Sequence, residues 1–182
     1  MRVIAGIARN TRLVALPGDD VTRPTIDRVK EGMFSAVHFM IEGARVLDLC
    51  AGSGQLGLEA LSRGAARCVF IDQSRDAVAV ILQNLKASGL AEKASVAQIS
   101  AESYLAACRE QFDLILMDPP YRQGIAAALL PQTARVIAPG GTVIAETEYG
   151  AQMPGECGAL TLKKQYKYGA VALARYEADA AF

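Results

Sequence analysis

Val46-Leu47-Asp48-Leu49-Cys50-Ala51-Gly52-Ser53-Gly54-Gln55-Leu56-Gly57 is the stretch that decides how this chain folds. Val46 to Cys50 is an apolar run of strand length. Gly52-Ser53-Gly54 punctuates it, and Gln55 to Ser62 continues with helical spacing. A strand that passes through glycines directly into a helix opens a βα unit, and the same grammar repeats downstream. Cys68 to Ile71 reads as a second strand ending at Asp72, with a helix from Arg75 to Ala87 and Gly89 beyond it. Ala94 to Ile99 reads as a third strand, followed by a short helix over Glu102 to Cys108. Phe112 to Met117 is a fourth, followed by a helix over Ile125 to Val136. Pro139-Gly140-Gly141 turns into a fifth, Thr142 to Glu146. Such alternation requires right-handed crossovers and a mainly parallel sheet with helices on both faces. After Glu148 the alternation stops. Gly150 to Gly158 reads as a loop, and Ala159 to Gln165 with Ala170 to Tyr176 reads as a terminal antiparallel hairpin turning at Tyr168-Gly169.

Ahead of this region, Arg2 to Ile7 and Arg12 to Leu16 alternate as two short strands joined near Arg9-Asn10-Thr11, a β-hairpin. Pro17-Gly18-Asp19-Asp20 breaks that pattern. Thr25 then reads as an N-cap for a helix whose stripe is Ile26, Val29, Met33, Phe34 and Val37. The expected organisation is therefore a hairpin extension over residues 1–22 and an α/β domain over residues 23–182.

The 182 residues are 52% hydrophobic and 21% charged, the balance of a globular protein with a real core. No apolar run reaches the ~20 residues of a membrane span, and the start shows no signal-peptide pattern. Cys50, Cys68, Cys108 and Cys157 are scattered, with no C-x-x-C pair, so neither a zinc site nor a disulfide framework is indicated. Reduced thiols in cytoplasm are the simplest account. No metal site is expected, and the lone His38 reads as structural. The formal net charge is zero, which excludes an all-over polycation, but residues 1–30 carry a net +3.

Two motifs carry chemistry. The glycine loop exposes amide N–H groups at a helix N-terminus, and Gly52, Gly54 and Gly57 match dinucleotide-fold spacing. Asp72 is placed to chelate ribose hydroxyls. Asp48 discriminates between ligands: a carboxylate before the loop is awkward for a pyrophosphate and suited to a cationic amino-acid moiety. S-adenosylmethionine is favoured over a nicotinamide dinucleotide on this ground. The second motif, Asp118-Pro119-Pro120-Tyr121, ends the fourth strand. Asp offers acceptor oxygens, the prolines hold their carbonyls still, and Tyr supplies a stacking face. That set suits a planar group with an exocyclic amine, such as a nucleobase.

With these motifs in order, the chain resembles the bacterial 16S ribosomal RNA guanine-N2 methyltransferase family (the RsmD type). The resemblance rests on the block from Arg23-Pro24-Thr25 to Glu31, Leu47 to Gly54, Leu58 to Ala65, Met117 to Tyr121 and Lys167-Tyr168-Gly169, and covers roughly residues 1–177. It implies a class I methyltransferase (Rossmann-like) fold with a seven-stranded sheet, acting on 16S ribosomal RNA of the small ribosomal subunit; a monomer is the default expectation. It implies S-adenosylmethionine held by Asp48, Ala51, Gly52, Ser53, Gly54, Asp72, Gln73, Ser100 and Ala101. Catalysis would fall to Asp118, Pro119, Pro120 and Tyr121, and the RNA grip to Arg9, Arg12, Arg23, Thr25 and Arg28. The chain departs from the pattern at Ser100, where such enzymes often carry an Asp facing the adenine amine. An adenine-N6 methyltransferase, a protein-glutamine methyltransferase and a non-catalytic RNA-binding assembly module are the competing readings.

Overall fold

The computed structural model describes residues 1–17, 24–120 and 124–180, and the side chains of residues 24–26 lie outside that description. In chain order the elements are α1 (Pro24–Val37), β1 (Arg45–Leu49), α2 (Gln55–Ser62), β2 (Arg67–Asp72), α3 (Arg75–Ser88), β3 (Ala94–Gln98), α4 (Ala101–Ala107), β4 (Phe112–Met117), α5 (Ile125–Val136), β5 (Ile137–Glu148), β6 (Glu156–Cys157), β7 (Leu160–Tyr168) and β8 (Val171–Ala178). The strands form one sheet in the order β3-β2-β1-β4-β5-β8-β7-β6. Pairing is parallel from β3 to β5 and antiparallel from β5 through β8 and β7 to β6.

Strand alternation sorts the core onto two faces. Val46, Leu114, Leu116 and Ile144 join Phe70 and the stripe of α1, Val29, Met33, Phe34 and Val37, in one apolar cluster. Leu47, Leu49, Ile115, Met117 and Val143 point the other way, into a cluster with Leu105 of α4 and Leu129 and Leu130 of α5. The helices are closed by local chemistry. Ser74 caps α3 by accepting the Ala77 N–H, and Gly89 ends that helix in the left-handed region.

Four expectations are revised. Helix α1 begins at Pro24, so Thr25 lies inside it rather than capping it. The sheet has eight strands because the two-residue β6 forms within the stretch read as a loop. β5 starts at Ile137 rather than after the glycines. Phe112 pairs with Ile137 but Leu114 with Thr142, so Pro139-Gly140-Gly141 forms an irregularity inside the strand rather than a turn before it. The N-terminal reversal narrows to a single antiparallel bridge, Arg2 to Arg12. Val3 N–H donates to Thr11 O, Asn10 N–H to Val3 O and Leu13 N–H to Met1 O across the reversal, but the backbone between is claimed elsewhere: Glu59 accepts the N–H groups of Ile4 and Ala5 at 2.8 and 3.0 Å, and Ser62 Oγ accepts that of Ala8 at 3.0 Å. The segment is thus stitched to α2 instead of forming two regular strands. His38 sits exposed in a 3-10 turn after α1, its Nδ1 2.9 Å from the Ser35 carbonyl oxygen.

Glu59 is the buried hub of that stitching. Besides the two N–H groups it holds Arg63 Nε at 2.8 Å and faces Lys30 Nζ, also buried, at 3.6 Å. Burial lowers the Lys30 pKa and Glu59 opposes the shift. Glu59→Ala is expected to cost about 3–5 kcal/mol in urea unfolding, because it strands a buried ammonium as well as two amides. The pair replacement Lys30→Met with Glu59→Leu should lose less than Glu59→Ala alone; a larger loss would show that the pair is not a coupled unit.

Candidate active site

Strand register gathers the motifs. Leu49 of β1 pairs with Ile71 of β2 and with Met117 of β4. Cys50, Asp72 and Asp118 therefore emerge side by side at the carboxyl edge of the sheet. This is also where the strand order reverses around β1, the place where open α/β sheets bind ligands.

The loop between β1 and α2 is held from beneath. Asp48 is fully buried, and its Oδ2 accepts the Gly57 N–H at 2.8 Å, tying the end of β1 to the first turn of α2. Gly57 allows that approach: a Cβ there would fall 2.3 Å from Phe70 Cε1 and 2.7 Å from Cys68 Sγ. Asp72 spans from the side, accepting the Gly52 N–H with Oδ2 and the Ser74 N–H with Oδ1, each at 2.9 Å. Ala51 N–H donates to Ile71 O at 3.0 Å, and Gly54 N–H to Ala51 O at 2.7 Å. Cys50 enters the loop at φ 58°, a backbone setting unusual for a residue with a side chain.

Acidity concentrates here. Burial first, then Asp72, Asp48, Glu102 and Asp118, push the Cys50 thiol up to about 12, so these four carboxyl groups lie in electrostatic reach of one atom. Burial also raises Asp48 itself to about 8, against the bond from Gly57 and with help from Asp72. A cationic ligand suits such a pocket edge. Asp48 Oδ1 and Gln55 Oε1 are both buried without a hydrogen-bond partner among the described residues. Among the described residues, a Cβ on Gly52 would meet nothing nearer than Leu16 Cδ1 at 3.9 Å, so that backbone has an open side there. The chain thus fits a small ligand with donor groups and a positive centre.

Across the edge, Asp118 is half-buried, Pro119 buried and Pro120 exposed. Pro119 and Pro120 open a pocket of about 260 Å³ whose far wall is Glu146, Thr147, Glu148 and Met153. The remaining expected residues distribute unevenly. Gln73 is exposed beside Asp72, and Ala101 is buried at the start of α4. Ser100 caps α4: its Oγ accepts the Ser103 N–H at 3.2 Å and donates to Ser103 Oγ at 3.0 Å, which competes with any ligand contact. Ser53 is buried, with its Oγ 3.3 Å from Met1 Sδ. Arg9, Arg12 and Arg28 are exposed. Arg23, Tyr121 and the Thr25 side chain lie outside the described residues.

Asn84 is a positioning residue that local patterns did not single out. Fully buried in α3, its Oδ1 accepts the Val14 N–H at 2.8 Å, while its Nδ2 donates to Val14 O at 3.0 Å and Ser53 O at 2.9 Å. It ties the N-terminal segment that carries Arg9 and Arg12 to the glycine loop. A polar amide on the buried side of an amphipathic helix was the available signal.

The family model described as "Conserved hypothetical protein 95" matches residues 1–177. The chain belongs to this family. It is 38% identical to the "Putative rRNA methyltransferase YlbH" of Bacillus subtilis, over 97% of this chain and 98% of that one. It is 33% identical to the "Ribosomal RNA small subunit methyltransferase D" of Escherichia coli, over 99% of this chain and 91% of that one. Among solved structures, the "Putative methyltransferase yhhF" from Escherichia coli superposes with a TM-score of 0.87 at 32% identity, covering 100% of this chain and 99% of that one. Fold, motif order and kinship agree: the chain is a class I methyltransferase.

The buried Asp48 makes stability depend on pH. Its folded pKa of about 8 lies above its ordinary 3.8. The stability linked to this group is therefore complete below the ordinary value and is lost as pH rises through about 8. Asp48→Asn, neutral throughout, should gain several degrees in melting temperature relative to the unsubstituted chain between pH 5 and pH 9. Parallel pH profiles for the two proteins would contradict the assignment.

Proposed function

We propose that this chain transfers a methyl group from S-adenosylmethionine to the exocyclic N2 of one specific guanosine in 16S ribosomal RNA of the small subunit. The observation that carries the reading is the register of β1 against β4, which sets an acid-lined glycine loop beside Asp118-Pro119. The RNA substrate is supported by the names of the relatives from Bacillus subtilis and Escherichia coli, and an amine acceptor by the chemistry of the Asp-Pro-Pro-Tyr motif. S-adenosylmethionine supplies, when bound, an electrophilic methyl on a sulfonium centre.

The residues of the chain then have distinct tasks. Asp72, already holding the Gly52 and Ser74 amides, has lone pairs left for ribose hydroxyls. The loop from Asp48 to Gly54 receives the amino-acid end. Asp118 and the Pro119 carbonyl accept the two hydrogens of the guanine amine. Its lone pair, otherwise delocalised into the ring, is thereby turned toward the methyl group. Asp118 or solvent would take the surplus proton as the N–C bond forms and the S–C bond breaks, leaving the donor as a neutral thioether. Holding reactants in line supplies up to about 7–11 kcal/mol in favourable cases. The base must leave its stack to reach this edge, and Tyr121 has the ring type that steadies an extruded base. Residues 1–22, through Arg9 and Arg12, with Arg23, Thr25 and Arg28, are proposed to grip the RNA beside the catalytic domain of residues 23–182. The setting proposed is the cytoplasm, with a monomer as the working unit.

The test is methyl transfer from radiolabelled S-adenosylmethionine to small subunits from cells lacking the enzyme, free ribosomal RNA, duplex DNA and protein extract, with nucleoside analysis. N2-methylguanosine at one site is expected, and label confined to DNA or protein would contradict the reading. Asp118→Ala should keep cofactor affinity and lose about a hundredfold or more in kcat; near-normal turnover would remove Asp118 from its role.

A further inference from the structure

The carboxyl end of β5 carries a basic and aromatic surface that the methyl-transfer machinery does not use. Tyr149 follows β5 directly and is 57% exposed. Its N–H donates to Ala170 O at 2.8 Å, which pins it to the turn between β7 and β8. From β7, Lys167 places its ammonium 3.8 Å from the centre of the Tyr149 ring. An exposed cation–π pair adds little to stability, so packing does not explain why a large ring and a lysine stand in solvent here. Lys163 and Lys164 are exposed further back on β7, with Lys164 4.9 Å from the centre of the Tyr166 ring.

Position gives the pair a meaning. Glu148 and Tyr168 both pair with Val171, so the β7–β8 turn stands beside the end of β5, on the same edge of the sheet as Asp118. The edge reads in order: glycine loop at β1, Asp118 at β4, then Tyr149 at β5 with Lys167 at β7. Glu148 and Ala151, on either side of Tyr149, line the pocket that Pro119 opens. A ligand strand leaving that pocket away from the cofactor loop meets Tyr149 next. Glu146 and Glu148 are the acids on the wall of this pocket, and Lys167 stands beyond them.

We infer that Tyr149 and Lys167 form a binding step for single-stranded RNA flanking the target nucleotide. An unpaired base takes the tyrosine ring as its platform, and its phosphate takes the lysine ammonium. The inference rests on the function proposed above and adds a second RNA contact, on the side of the pocket opposite the N-terminal arginines. Charge and shape choose the occupant. Every nucleobase has a π-face that stacks on an aromatic ring, and phosphates pair with lysine by releasing counterions. Nucleotides beside an extruded base are unstacked and free to do both.

The test uses the full chain and a fluorescein-labelled single-stranded RNA, titrated at several salt concentrations, with methylation of small subunits measured in parallel. Tyr149→Ala should weaken RNA binding by roughly 5- to 150-fold, with Tyr149→Phe restoring it to within about twofold of the parent. Lys167→Met should weaken binding and reduce the slope of log affinity against log salt by about 0.7. Cofactor affinity and melting temperature should hold in all three. Unchanged RNA affinity in Tyr149→Ala and Lys167→Met would overturn the inference, as would equal losses in Tyr149→Phe and Tyr149→Ala. RNA binding with these variant effects but no methylation of RNA would instead overturn the proposed function and leave the binding step standing.

Discussion

A buried carboxyl group at the end of the central strand governs the shape of the site. Asp48 lies on the face of β1 that packs beneath α2, and its bond to the Gly57 N–H fixes where the helix begins relative to the strand. Burying a carboxyl group with one oxygen unpaired is expensive, which is why its pKa is raised to about 8. The expense is tolerated because the bond sets the loop before any ligand arrives. Asp72 completes the hold from β2, and Asn84 from α3 through Ser53 O. Three elements thus agree on one loop conformation, the condition for a pre-organised binding site.

The same fold supplies the charge pattern. Parallel strands end together, so acids at strand ends in the sequence become neighbours at one edge. Asp48, Asp72 and Asp118 come from three strands, and their fields converge on Cys50 with that of Glu102. The thiol is held protonated and inert as a nucleophile. Beyond Glu146 and Glu148 on the far wall of the pocket, the same edge carries Lys167 beside Tyr149.

Much of this was legible because local chemistry sets it. Hydrophobic periods located all five helices and the main strands within about three residues at most ends, and α5 was bounded at Ile125 and Val136 as the structure has it. What failed was non-local. The N-terminal segment alternates like a hairpin and does bond across its reversal at Val3, Asn10 and Leu13, yet the amides of Ile4, Ala5 and Ala8 are satisfied by Glu59 and Ser62, more than fifty residues away, and no window around residues 1–16 contains that information. Pro139-Gly140-Gly141 has turn composition, but pairing with β4 and β8 on either side draws it into β5. The motif residues at the site were visible as types and spacings. Asn84 was not, and Lys167 stood out only within the Lys167-Tyr168-Gly169 block with no role of its own, because their roles depend on which distant backbone or ring each one meets.

A crystal structure of the chain with S-adenosylhomocysteine is the decisive measurement. The ribose hydroxyls should lie on Asp72, the amino-acid end in the loop from Asp48 to Gly54, and the sulfur toward Asp118 and Pro119, with the Asp48–Gly57 bond intact. A ligand seated instead in the pocket beside Met153, or bound only after the Asp48–Gly57 bond breaks, would contradict a pre-formed methyl-donor site at the ends of β1 and β4.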